Sequence, residues 1–243
     1  MLGSNRKIIL GIIIAMAVIS LLNSATTNGA IIGLLLTLPG VLLAITFHEF
    51  AHAYAADKLG DDTPRRQGRL SLNPMDHVDP LGILMLMFVH IGWGKPVQVN
   101  PRNYDRRFSM ENADAIVSIA GPVMNFLLAI VLTIIYCATI KFAPAFYTTT
   151  AGWVTLLIIE YAIKVNIGLG VFNLILLPPL DGSKVILPAL PSKAKYWLLN
   201  NSHMFYMIFL VLWVTGLAGQ FISPIISWLA SQILSLGGFI FGL

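Results

Sequence analysis

The sequence predicts an all-α polytopic membrane protein with about six transmembrane helices and a small membrane-associated β or re-entrant element between the second and third. Three observations lead there. Of 243 residues, 57% are apolar and only 11% charged, against about 25% charged in ordinary globular proteins. A soluble domain of this length needs far more polar surface. The apolar residues come in runs, near 8–22, 30–47, 115–140, 152–178, 204–219 and 221–242, most of them long enough to cross a bilayer. The basic residues cluster in three places: Arg6 with Lys7, the segment 58–107, and Lys184, Lys193 and Lys195. The loops 23–29 and 141–150 carry only Lys141. If the spans alternate, all three clusters fall on one side. That positive-inside pattern predicts a multi-pass protein of the cell membrane with both termini and the long basic loop in the cytoplasm.

The first run follows "NRK" and resembles a signal peptide with a cleavage site near "LLNSATT", but retention as a helix fits the topology better. The second run leads into "LLAITFHEFAHAYAADKLG", residues 42–60. Residues 57–111 form the one long polar stretch, cytoplasmic and membrane-associated. Its "KLGDDTPRRQGRLSLNPMDHVDPLG" is rich in turn formers. Within it "ILMLMFVHI" is too short for a span and reads as an embedded loop or hairpin, tolerable at membrane depth only where protein or a wet cavity covers it. "KPVQV" then reads as an edge strand, with Trp93 at the interface. The third span contains "SIAGPVMNFLLAI" and the fourth ends in "VFNLILLPPLDGSKV". Residues 203–243 supply two C-terminal helices, with His203 at the start of the first. The expected organisation is a single integral membrane domain over 1–243 with a catalytic core over 30–182. The lone Cys137 has no partner for an internal disulfide and reads as a packing residue. The net charge of +4 is distributed for a membrane, not for nucleic acid. Oligomeric state is left open, because apolar helix faces can meet lipid, each other or a second copy.

The chemistry begins with His-Glu-x-x-His in an apolar run. His48 and His52 are four apart, so on a helix they share a face and can reach one zinc ion. Glu49 points around the helix and is placed to act as a base toward the attacking water rather than as a ligand. Three such residues inside a bilayer span favour function over a satisfied polar cluster. A third ligand discriminates among zinc enzymes. The metzincin pattern demands Gly at 55 and His at 58, where this chain has Ala55 and Lys58. A glutamate on a following helix is equally poor, since the next is Glu111. Asp181 is the better candidate: the second and fourth spans run in the same direction, so His48, His52 and Asp181 arrive at the same membrane side. Zinc, Asp181 and Glu49 also balance in charge. Pro178 and Pro179 should unwind the span ahead of Asp181. Asn173 either binds substrate backbone, steadies the broken helix or makes an interhelical hydrogen bond. Asn125, just after Gly121-Pro122, would stabilise a developing oxyanion if the third span crosses near the metal. His77 reads as an organiser of the polar loop, His90 as part of the embedded loop, and Glu160 with Lys164 as an i,i+4 ion pair.

Together, "HEFAH" at 48–52, "GPVMN" at 121–125 and "NLILLPPLDG" at 173–182 resemble the site-2 protease family of intramembrane zinc metalloproteases. "GRLSLNPMDHVDPLG" and "GWGKPVQVNPRNY" are similar to its short prokaryotic branch without a PDZ domain. The resemblance implies one catalytic zinc on His48, His52 and Asp181, Glu49 as base, and Asn125 and Asn173 around the scissile carbonyl. It implies single-span membrane proteins as substrates, cleaved for signalling or clearance amid membrane lipids. Leu176 stands where members often carry proline, and would extend helix toward the Pro-Pro pair. "KPVQV" would hold an unwound substrate by strand pairing. Two alternatives stay open: a membrane zinc hydrolase of lipids or small amides, and a metal transporter. The transporter is less favoured because the candidate ligands gather at one end of their spans.

Overall fold

The computed structural model describes residues 28–83 and 94–243. Helices account for all regular structure among them. In chain order they are α1 (Asn28–Lys58), α2 (Thr63–Arg66), α3 (Pro74–His77), α4 (Met110–Phe142), α5 (Pro144–Tyr147), α6 (Thr150–Asn173), α7 (Asp181–Ile186), α8 (Ser192–Asn200), α9 (Ser202–Val214) and α10 (Leu217–Phe241), with single 3-10 turns at Pro101–Asn103 and Leu187–Ala189. Helices α1, α4 and α6 pack mutually, α7 lies against α4, and α10 packs on α4 and α6. Four of the described helices are long and apolar enough to cross a membrane: α4, α6, α10 and α1 from Ile32 onward.

Helix α4 explains why this bundle suits lipid. Its buried face is built from small and polar residues, Ala113, Val117, Gly121, Asn125, Ala129, Thr133 and Cys137, each four after the last. Its exposed residues include Ile116, Val123, Leu127, Ile130, Val131, Ile134 and Ile135. A water-soluble helix would have the opposite arrangement. In a membrane, small residues let backbones approach and large apolar ones meet acyl chains. The same device joins α1 to α6, where a Cβ on Gly40 would lie 2.6 Å from Ala162 Cα. Farther along, Ala129, Ile163, Ile167 and Ala230 form the core shared by α4, α6 and α10.

Several expectations change. The expected first span, 8–22, the embedded loop with His90, and Trp93 lie outside the described residues. The run 204–219 does not form one span. Helix α9 has 13 residues, about 20 Å at 1.5 Å per residue, against about 30 Å of hydrocarbon. It stops before Gly216, whose φ of +74° breaks the helix and starts α10. The expected β element is also not formed among the described residues. Residues 95–100 form no strand with any other described residue, and an antiparallel bridge joins Val78 to Gly94. Within 95–100 the Val97 N–H is taken by the Glu49 carboxylate, so that donor is not available to a strand. The fourth run stops at Asn173, so Leu176 and Leu177 add no helix. The chain there folds back over the start of α7, where a Cβ on Gly182 would lie 2.5 Å from the Leu174 carbonyl oxygen.

The polar stretch is held by Asp61, which is fully buried. Its carboxylate accepts hydrogen bonds from the Thr63 N–H (3.1 Å) and hydroxyl (2.5 Å), the Asn100 N–H (2.6 Å) and the Asn103 amide (2.9 Å). Burial pushes this carboxyl up, but the hydrogen bonds outweigh it and hold it below the usual carboxylate range. A depressed native pKa means that the stabilisation is complete above the unfolded carboxyl's pKa, about 3.9, and is lost as pH falls through the native value. Asp61→Asn turns an amide NH₂ toward donors and is expected to cost about 1–3 kcal/mol at neutral pH. Thermal unfolding in detergent at pH 7 and pH 3 checks both statements: the deficit of the variant should shrink at the lower pH.

Candidate zinc centre

The site is assembled on the small-residue face of α4. Helix α1 presents His48 and His52 one turn apart, both buried, and α7 begins with Asp181. The His48 Nε2 and His52 Nε2 atoms are 3.0 Å apart. Asp181 Oδ2 lies 3.1 Å from the first and 3.3 Å from the second. A tetrahedral zinc with ligands at 2.0–2.1 Å separates its donor atoms by about 3.3 Å. The triangle therefore has the dimensions of one face of a zinc tetrahedron, with the two-nitrogen, one-carboxylate chemistry of catalytic zinc.

The tautomers agree. The His52 ring presents Nδ1 to the Val117 carbonyl at 2.7 Å. A carbonyl only accepts, so Nδ1 carries the proton and Nε2 keeps its lone pair for a metal. His48 presents Nδ1 to Asn125 Oδ1, also at 2.7 Å. The amide orientation follows from its other partners: Asn125 Nδ2 donates to the Ala44 carbonyl and to Asn166 Oδ1, each at 3.0 Å. Flipping the amide would set oxygen against oxygen at Ala44. Both histidines are thus fixed from behind by α4. Gly121, between Val117 and Asn125, makes room for them: a Cβ there would lie 2.5 Å from His52 Nε2 and 2.6 Å from His48 Cε1.

Glu49 stands outside the triangle, half-buried, its Oε2 accepting the Val97 N–H at 3.0 Å. Asn125 sits behind His48 with both amide hydrogens committed, a different place from one facing an oxyanion. Asn173 is the last residue of α6, its amide donating to the Leu169 carbonyl at 3.1 Å. His77 is fully buried and donates Nε2–H to the Ser71 carbonyl at 2.7 Å. The Glu160–Lys164 pair closes at 2.6 Å on α6.

The residue that sequence reasoning missed is Asn166. It is fully buried, and it donates to the Ala162 carbonyl at 2.8 Å while accepting from Asn125. Its signal was available: it precedes Asn173 by two helical turns on the same face of α6. Asn166→Ala should leave one Asn125 hydrogen unpaired and loosen His48, lowering zinc affinity about 10–100-fold. Competition with a zinc chelator at matched helical content measures this, and an unchanged affinity would remove Asn166 from the chain of support.

A zinc-type donor set with a neighbouring carboxylate, built into helices fit to cross a bilayer, defines a membrane metallohydrolase. Comparison with known proteins narrows the class. The chain is 35% identical over 205 residues, 83% of its length and 90% of the relative, to "Putative zinc metalloprotease YwhC" of Bacillus subtilis. It is 26% identical over 213 residues, 84% of its length and 78% of the relative, to "Putative zinc metalloprotease Rip2" of Mycolicibacterium smegmatis. It is 27% identical over 198 residues, 80% of its length and 72% of the relative, to the Rip2 protein of Mycobacterium tuberculosis. No protein-family model and no solved structure matches the chain. The chain belongs to the site-2 protease family of zinc metalloproteases.

Proposed function

We propose that this zinc metalloprotease cuts peptide bonds in or near the transmembrane helices of single-span membrane proteins. The observation that carries the reading is the depth of the donor triangle. It packs on Gly121, and α4 carries no charged residue from Ala115 to Ile140. That places the site about 9 Å along the helix from the start of its uncharged part, with a lipid-like outer surface around it.

In this reading His48, His52 and Asp181 hold the zinc. Bound zinc supplies Lewis acidity, making water nucleophilic at neutral pH and polarising the scissile carbonyl. Glu49 takes a proton from the attacking water and returns it to the leaving amide nitrogen. Val97 N–H fixes the Glu49 rotamer, so the loop 95–100 serves the base directly. Asn125 and Asn166 are positioning residues for His48. Asn173, where α6 ends, is left as the side chain to meet the substrate backbone. A substrate helix must unwind locally before its carbonyls are accessible. The basic residues of 58–107 and 184–195 orient the site toward the cytoplasm. Reconstitution into liposomes with single-span test proteins, with cuts located by mass spectrometry, tests the reading. Cuts inside the span that vanish on chelation are expected. Cuts confined to soluble tails would make this a membrane-tethered protease instead.

A further inference from the structure

Tyr104 packs on Val117, the residue whose carbonyl meets His52, and a surface groove lies beside it. Pro101, Arg102, Tyr104, Arg106, Phe108 and Met110 line this open surface groove of about 480 Å³, within the size range of small-molecule sites. Tyr104 is its buried wall, packed with Ala56, Ala113 and Val117 and donating its hydroxyl to Asp114 at 3.4 Å. The cations around it differ from the other arginines nearby. Arg65 pairs with Asp57, Arg66 with Asp62 and Arg107 with Asp105. Among the described residues, the guanidinium groups of Arg102 and Arg106 have no hydrogen bond or ion pair. Two unneutralised, planar cations at one groove select a phosphate-like anion.

The apolar members narrow the class further. Phe108 is 42% and Met110 54% exposed, and Met110 opens α4. The first turn of α4 carries Glu111, and from Ala115 to Ile140 the helix carries no charged residue. The groove thus stands at the polar end of a helix fit to cross the membrane, at headgroup level. A free phosphate or an acidic peptide would satisfy the arginines and leave Phe108 and Met110 in water. A phospholipid satisfies both, with its phosphate on the cations and its glycerol and upper acyl chains over the apolar pair.

We propose that this groove seats one anionic phospholipid, its phosphate held by Arg102 and Arg106. The proposal rests on the membrane reading of α4. The test is native mass spectrometry of the detergent-purified protein titrated with phosphatidylglycerol or phosphatidylcholine. Wild type should hold one phosphatidylglycerol more tightly than Arg102→Gln/Arg106→Gln, by about twenty-five-fold if each arginine contributes about fivefold. Phosphatidylcholine should bind both alike. Arg65→Gln/Arg66→Gln, which removes the same charge elsewhere, should behave as wild type. Zinc content monitors folding of every variant. Equal phosphatidylglycerol retention by wild type and the Arg102/Arg106 variant overturns the site. So does an equal loss in the Arg65/Arg66 control, which would mean diffuse charge, or displacement by millimolar phosphate or by an acidic peptide. Failure of the membrane reading shows separately, as protein that stays in the aqueous fraction when cell membranes are sedimented.

Discussion

Gly121→Ala is expected to deprive the protein of its zinc and of peptide hydrolysis together, although it adds one methyl group. That methyl would stand 2.5 Å from His52 Nε2 and 2.6 Å from His48 Cε1, well inside van der Waals contact. The imidazoles cannot swing aside freely. His52 is tied to the Val117 carbonyl and His48 to Asn125, and both anchors belong to the helix that carries the new methyl. Moving α4 away instead would separate it from α6 and α7, which pack on it. Disturbing a single supporting contact of a metal ligand costs about 10–100-fold in affinity, and this substitution disturbs two ligands at once. Metal content after gel filtration, with helicity followed by circular dichroism, measures the outcome. A folded variant with full zinc would mean that α4 does not approach α1 as closely as described.

Glu49→Gln should separate metal from chemistry. Glutamine keeps the length and an acceptor oxygen for the Val97 N–H, so the loop 95–100 and the zinc donors should be unchanged. What disappears is the ability to take a proton, a contribution of about 10²–10⁴ in rate for general-base catalysis. Wild type and variant should therefore bind zinc alike, while cleavage of a reconstituted substrate falls by that factor. Equal cleavage by both would sink the assignment of the base, or expose a contaminating protease. The two substitutions form a pair: one should lose metal and activity, the other activity alone.

Much of the donor triangle was legible because its geometry is local or counted by parity. His48 and His52 are related by helical spacing alone. Asp181 was placed by the direction of two spans, without any knowledge of contacts. The support behind the triangle was not legible in this way. Asn125 reads in sequence as a donor to substrate, and only the phase of α4 against α1 turns its amide toward His48 and the Ala44 carbonyl. Asn166 and Asn173 look alike on paper, two turns apart in one apolar helix. The register of α6 against α4 decides which of them meets Asn125: Asn166 does, while Asn173 ends the helix. The stretch "KPVQV" has strand composition, yet a carboxylate from α1 claims the N–H of its central residue. Hydropathy also ran past Gly216, because an apolar average does not register one left-handed residue.

The small-residue face of α4 carries a mechanical consequence. Val117, Gly121 and Asn125 index both histidines, and α7, which delivers Asp181, rests on the same helix. A slide of α4 by one residue, about 1.5 Å, would release both imidazoles and misplace the carboxylate. The helices bearing the donors therefore move as one rigid body or not at all. Admission of a substrate then falls to elements that carry no donor, so hydrogen exchange should be slowest along α4 and its neighbours even while the enzyme turns over.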